Sequence, residues 1–228
     1  MNHPPFPIRE ITLPVLEAAR QNLFSALVGD AMDNLGLGAP FLPPQIKPVD
    51  DQMVVVGWAM PVTEIDVDAD SSTGAPFGLM FDALDDLKPG EIYFASGASP
   101  NYALWGGLMS TRAIHLGAAG AVLNGYSRDT SEIRSLSFPT FSYGGYAQDQ
   151  AGRGTVVDYR TSISVGDLTV VPGDLVFGDL DGVCVIPQDA AIDVFNAAFE
   201  KLAAEDLVRQ HIIAGGTSKE AFKKYGIM

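Results

Sequence analysis

The chain has 228 residues, of which 47% are hydrophobic and 18% charged, enough apolar material for a packed core and too much for a disordered chain. Lys plus Arg number 14 against 28 Asp plus Glu, a formal net charge of −14, and no basic cluster appears. Nucleic acid is therefore excluded as an expected partner, because phosphate binding depends on Lys and Arg displacing counterions. The single cysteine, Cys184, excludes a disulfide framework, and His3, His115 and His211 show no metal-ligand spacing. No leader pattern opens the sequence, and its most apolar stretch, Met53 to Val62, is far shorter than the roughly 20 residues that span a bilayer. No membrane association and a cytoplasmic location are the expectations.

The first periodic segment runs from Thr12 to Leu35, with Thr12 placed to cap it, Pro14 in its first turn and Leu16, Leu23, Leu27 and Ala31 at helical spacing. Gly29 or Gly36 is expected to divide or end it. Pro40, Pro43, Pro44 and Pro48 enforce an extended connection, completing an N-terminal helical arm over about residues 1–50. Met53 to Val62 then reads as a strand buried on both faces. Helices are predicted at Phe77 to Leu87 and Gly106 to Leu116, and strands at Glu91 to Ala95 and Ala119 to Leu123. Beyond Thr140 short β-branched runs follow: Gly154 to Val157, Ser162 to Val165, Leu168 to Val171, Leu175 to Phe177 and Val183 to Ile186. The turns Val165-Gly166-Asp167 and Val171-Pro172-Gly173-Asp174 favour antiparallel hairpins between them. An amphipathic helix over about 188–214 closes the chain, with Ile192, Phe195, Phe199, Leu202 and Leu207 on its apolar side and Gly215-Gly216 at its end. No linker divides residues 1–228, so one α/β domain mixing parallel and antiparallel strands is predicted.

Phosphate-loop, dinucleotide, nucleophile-elbow and HExxH motifs are all missing from the sequence. Asp66-x-Asp68-x-Asp70 begins like a calcium loop, but Ser71 and Phe77 stand where Gly and Glu are required, which favours a solvated acidic loop. Cys184 alternates with apolar neighbours as a buried thiol would. Asp174, Asp179 and Asp181 fit hairpin chemistry, Glu132 and Arg134 read as surface groups, and His115 suits a helix C-terminus. One constellation remains. Gly106-Gly107-Leu108-Met109 opens a helix and bares backbone amides where they are unpaired, an anion site in waiting. After the next strand, Asn124-Gly125 turns into Tyr126-Ser127-Arg128-Asp129. There Arg128 can grip a carboxylate in a fork and Asp129 can offer oxygen to a hard divalent ion. Adjacent opposite charges are equally compatible with a turn salt bridge of little consequence.

Gly106 to Ser110, Gly117 to Asp129 and Val171 to Val183, in that order, resemble the family of 4-hydroxy-4-methyl-2-oxoglutarate aldolases and RraA-like regulators of ribonuclease activity. The likeness extends from about Ser25 to the final helix. It implies a single-domain β/β/α sandwich of the swivelling-domain type, with mixed sheets and N- and C-terminal helices. It also implies a homotrimer or hexamer with active sites between subunits. Catalytic members of this family are divalent-metal lyases that cleave 4-hydroxy-2-oxo dicarboxylic acids to pyruvate and often decarboxylate oxaloacetate. By this resemblance Asp129 is the Mg²⁺ (or Mn²⁺) ligand, Arg128 holds the 2-oxo acid substrate, and the amides around Gly106, Gly107, Leu108 and Met109 bind its carboxylate. Glu205 in the last helix matches an acid lent to a neighbouring subunit. Two departures stand out: Gly107 occupies a position that is acidic in catalytic members, and Asn124 one that is commonly Asp. Retro-aldol cleavage needs a base for a hydroxyl proton, whereas decarboxylation of a 3-oxo acid does not. The expectation is therefore that decarboxylation, or cleavage with another subunit's acid, outperforms the usual aldol reaction. The rival expectation is a non-catalytic protein-binding regulator with an acidic surface. A methyltransferase is discounted, since Met53 to Val62 carries only Gly57 and no glycine-rich loop.

Overall fold

The computed structural model describes residues 6–38, 40–67 and 77–227. Its organising element is β2 (Val55–Asp66), which is longer than the predicted run and buried along most of its length. It pairs in parallel with β3 (Glu91–Ser96) and antiparallel with β11 (Leu175–Asp179) over its first half and β8 (Gly154–Tyr159) over its second. A bulge between Thr63 and Glu64 marks the β8 pairing. The sheet continues in parallel through β5 (Gly120–Leu123) to β7 (Thr140–Ser142), whose far edge takes the two-residue β1 (Lys47–Pro48) antiparallel. On the other side β12 (Gly182–Ile186) closes a hairpin with β11. The strand order is thus β1-β7-β5-β3-β2-β11-β12, with β8 attached to β2.

Two apolar cores lie on the two faces of this sheet, and side-chain alternation along each strand decides which residue feeds which. Leu175, Phe177, Cys184 and Ile186 pack with α1 (Leu13–Asn22), α2 (Ser25–Asn34) and α6 (Ala191–Ile213). Their strand neighbours Val176, Val183 and Val185 pack on the opposite side, with α3 (Met80–Asp85), α4 (Gly107–Leu116) and α5 (Thr130–Leu136). The mixed α/β architecture with N- and C-terminal helices is the predicted one.

Several boundaries differ from the sequence expectation. The first periodic segment is two helices, broken at Leu23 and Phe24, which are both extended (ψ 167° and 158°). Gly29 neither divides nor ends it. It lies buried within α2 because a Cβ there would meet the Phe41 ring, 3.0 Å from Cε2. Thr12 occupies the cap position of α1, but its hydroxyl makes no capping bond. Gly166-Asp167 joins β9 (Ile163–Val165) to β10 (Leu168–Val170) as predicted. The Val171 to Asp174 turn, in contrast, links two separate sheets and closes no hairpin. Leu207 is exposed, and its neighbour Val208 is buried in its stead. After Gly215-Gly216 the chain continues into α7 (Ser218–Tyr225). A capping box starts that helix: the Thr217 hydroxyl accepts from the Glu220 N–H (3.2 Å), and the Glu220 carboxylate accepts from the Thr217 N–H (2.9 Å). Among the described residues no helix is long and apolar enough to cross a membrane.

Candidate functional site

A second, small parallel sheet builds the site. Strand β4 (Ala103–Trp105) runs beside β6 (Tyr126–Ser127), and the Arg128 N–H extends the ladder by donating to the Trp105 carbonyl (2.9 Å). Each strand then hands over to a helix: Gly106 stands at the N-cap position of α4, and Asp129 at that of α5. Two parallel strands ending together thus bring two helix starts side by side, the place where α/β proteins leave a crevice. The buried Trp105 indole N–H donates to Ser110 Oγ (2.8 Å), and that hydroxyl donates to the Gly106 carbonyl (3.0 Å), fixing the turn into α4.

At this junction the predicted residues come together. The Asp129 carboxylate accepts the Gly107 N–H (3.1 Å) and lies 3.6 Å from Arg128 Nε. Arg128 Nη1 donates to Asp149 (2.7 Å). Both members of the Arg128–Asp129 pair remain about two-fifths exposed (40% and 39%), so their pairing contributes little to stability. They line two cavities. One, of about 520 Å³, opens between α5 and Gly145-Tyr146-Ala147. The other, of about 240 Å³, has apolar walls including Phe77, Phe81, Leu108 and Met109, with Asp149 and Gln150 at its edge.

The Gly107 amide, expected to receive a ligand carboxylate, is already given to Asp129. Leu108 and Met109 remain as the first-turn amides that helix geometry leaves without a carbonyl partner. Glu205 is not brought to the pair within one chain; it lines a separate cavity with Val208, Arg209, Ile212, Ile213 and Ile227. Asp174 and Asp179 serve the fold, though not through the hairpins expected: Asp174 braces a turn between two sheets and Asp179 the start of α2. Asp174 accepts from the Val171 and Gln188 amides (2.8 and 3.2 Å), and Asp179 from the Ser25 amide and hydroxyl (2.7 and 2.6 Å). Burial pushes the Cys184 thiol up to about 12, so it stays a neutral core group. Asp68 and Asp70 of the calcium-loop candidate lie outside the described residues, and Asp66 accepts from the Tyr102 hydroxyl (2.9 Å).

No sequence signal marks Asp149 or Gln150, which reach the site from a loop beyond β7. Gln150 is 4% exposed, and its Nε2 has no partner among the described residues. The Asp129-x-x-Glu132 spacing of a helix start is a legible signal for Glu132, beside the surface role its charge implies. It is exposed, yet its carboxylate fills the space in front of Gly107.

Fold and site together define an α/β protein with a mixed-charge pocket where two parallel strands meet two helix starts. The family model described as RraA-like, Aldolase/RraA, matches residues 25–185, and the chain belongs to that family. A putative 4-hydroxy-4-methyl-2-oxoglutarate aldolase of Halalkalibacterium halodurans is 32% identical over 190 residues, covering 82% of this chain and 83% of that protein. Protein DlpA of Legionella pneumophila is 28% identical over 219 residues, 96% of this chain, which spans only 35% of DlpA's length. Among solved structures, an uncharacterized protein from Pseudomonas syringae superposes with a TM-score of 0.80 at 26% identity, covering 94% of this chain and 99% of that one.

Proposed function

We propose that the protein is a divalent-metal-dependent carbon–carbon lyase acting on pyruvate-like 2-oxo acids, by retro-aldol cleavage of 4-hydroxy-2-oxo dicarboxylic acids, by decarboxylation of oxaloacetate, or by both. The observation that carries this is the Arg128–Asp129 pair, half-exposed at the mouth of two cavities and anchored from three sides by Gly107, Trp105 and Asp149.

Asp129 would hold Mg²⁺ or Mn²⁺. The donor suits such an ion: a hard carboxylate open to water. Mg²⁺ is commonly held by one or two carboxylates while keeping several waters. When bound, the ion supplies positive charge against the oxygens of a 2-oxo acid. Breaking the bond beside the 2-oxo group leaves the enolate of pyruvate, and the Arg128 guanidinium, held in place by Asp149, meets that charge with a fixed fork of donors. The Leu108 and Met109 amides orient the substrate carboxylate, and the apolar wall of the smaller cavity keeps water from the reacting carbon.

The half-open pocket beside Leu108, a leucine 82% exposed, fits a site that a second copy completes. We assign that role to a homotrimer or hexamer in which Glu205 of one subunit faces the pocket of the next. The test is pyruvate release from oxaloacetate and from 4-hydroxy-4-methyl-2-oxoglutarate, with Mg²⁺, Mn²⁺ or EDTA. Turnover should require the metal and fall at least ~100-fold in Asp129→Asn, which removes charge while tolerating the left-handed backbone there. No pyruvate from either substrate would sink the lyase in favour of a binding regulator.

A further inference from the structure

We infer that the smaller cavity seats the substituent on C4 of a 4-hydroxy-2-oxo acid, and that this substituent is a branched or aromatic hydrocarbon larger than methyl; this rests on the lyase function proposed above. The cavity, of about 240 Å³, adjoins the Arg128–Asp129 pair. Three of the residues that line it are apolar and almost wholly buried: Met80 at 7% exposure, Leu104 at 2% and Trp105 at 1%. They come from the start of α3 and the end of β4. Phe77 packs edge-on against Phe81, with ring centroids 5.6 Å apart and planes at 75°, and both rings face the same space. Phe81 and Leu108, each more than half exposed, form its rim from α3 and α4.

The charged residues of this cavity form one contiguous group, because Arg128 pairs with Asp129 (3.6 Å) and with Asp149 (2.7 Å). Among the described residues lining the two cavities at the pair, Arg128 is the single cation, and both acids already share it. A negatively charged tail on C4 would give up its hydration with no free cation to meet it and with Asp149 close by. Gln150 lines the same cavity at 4% exposure, and its Nε2 has no partner among the described residues, but an amide carries no charge to neutralise a carboxylate. A hydrocarbon tail, in contrast, gains by leaving water, and each further buried methylene is worth about tenfold or more in kcat/KM. A methyl group would leave most of the cavity empty.

In the step, the C4 hydroxyl loses its proton to water, the C4–O bond becomes a carbonyl and the C3–C4 bond breaks. The electron pair passes to the 2-oxo group as the pyruvate enolate, and C3 then takes up a proton. The products are pyruvate and a second 2-oxo acid that keeps the hydrocarbon tail, with no redox partner needed. That second product, and not pyruvate, can fill the cavity.

The test supplies wild type and Mg²⁺ with 4-hydroxy-2-oxoglutarates that carry a methyl, carboxymethyl, isobutyl or benzyl group on C4, with oxaloacetate as a fifth substrate. For the isobutyl and benzyl compounds kcat/KM should exceed that for methyl and for carboxymethyl at least ~10-fold. Phenylpyruvate, the product of the benzyl compound, should inhibit cleavage of the methyl compound at least ~10-fold better than pyruvate does. Phe81→Lys, at the exposed rim and confirmed as folded by thermal unfolding, puts a cation beside the tail and should raise the carboxymethyl-to-benzyl ratio at least ~5-fold. An active wild type that turns over the methyl or carboxymethyl compound as fast as the two hydrocarbon ones overturns the assignment of the cavity and leaves the lyase standing. Turnover of oxaloacetate alone does the same, as does an unchanged ratio in Phe81→Lys. Silence on all five substrates overturns the lyase function and this inference with it.

Discussion

Glu64 lies within β2 at 1% exposure, with Oε1 unpartnered, near Tyr93, whose hydroxyl is equally without a partner among the described residues. Burial, with the charge of Asp66 adding to it, raises its carboxyl to about 8. The folded protein therefore keeps Glu64 protonated over a range in which the unfolded chain has already released the proton. Its contribution is complete below the unfolded carboxyl range and falls as pH rises toward 8, at up to about 1.4 kcal/mol per pH unit. Thermal melts of wild type and Glu64→Gln between pH 5 and 9 should converge at the acid end. The variant should be the more stable above pH 8; parallel curves would contradict this. Glu64 also shows where patterning along a strand stops short. Its residue type marks an exposed position, but alternation along β2 sets it on the same buried face as Val62. Arg128 and Asp129 stood out in the sequence because their neighbours did. Asp149 did not, because only the return of a distant loop gives it an arginine to hold.

At the scale of elements, the site depends on how firmly β4 delivers the turn into α4. Ser110→Ala removes the acceptor of a buried indole N–H and should cost about 1–3 kcal/mol, read as a lower denaturation midpoint. It should also raise KM more than a surface substitution on α4 does. Gly57→Ala tests the sheet itself. The added methyl would stand 2.9 Å from Ala119 Cβ and closer to the Gly90 carbonyl, an overpacking cost of about 1–3 kcal/mol. Long apolar or periodic segments such as β2, α4 and α6 were legible within a few residues, since burial on one face leaves a period in the sequence. The break at Leu23 and Phe24 was not, because neither residue is a helix breaker and tertiary packing sets the bend. The short β4, β6 and β7 were missed because two or three residues carry no period, although β4 and β6 position everything that matters for chemistry. Helix α7 lies beyond the expected end of the chain's last helix, although Thr217-x-x-Glu220 is a local start signal that needs no tertiary knowledge.

For the whole molecule, a net charge of −14 coexists with large apolar side chains left in water, among them Leu108, Phe81, Ile213 and Phe222. The trimer or hexamer proposed above would take some of these groups out of water. Sedimentation should therefore give about 73 kDa, three times the 24.2 kDa chain, or twice that mass for a hexamer. A fully active species of one chain would remove the need for Glu205 from a neighbour. Fold class was the most legible property at this scale, since alternating helix and strand signals followed by short β runs leave few layer arrangements. The contact of Glu132 with Gly107 has a bearing on how such chains are sorted. Two helices abut so closely there that one volume can be filled from either segment. A filter that inspects a single alignment column for an acid would discard this chain as inert, whereas one that asks what occupies the volume would keep it.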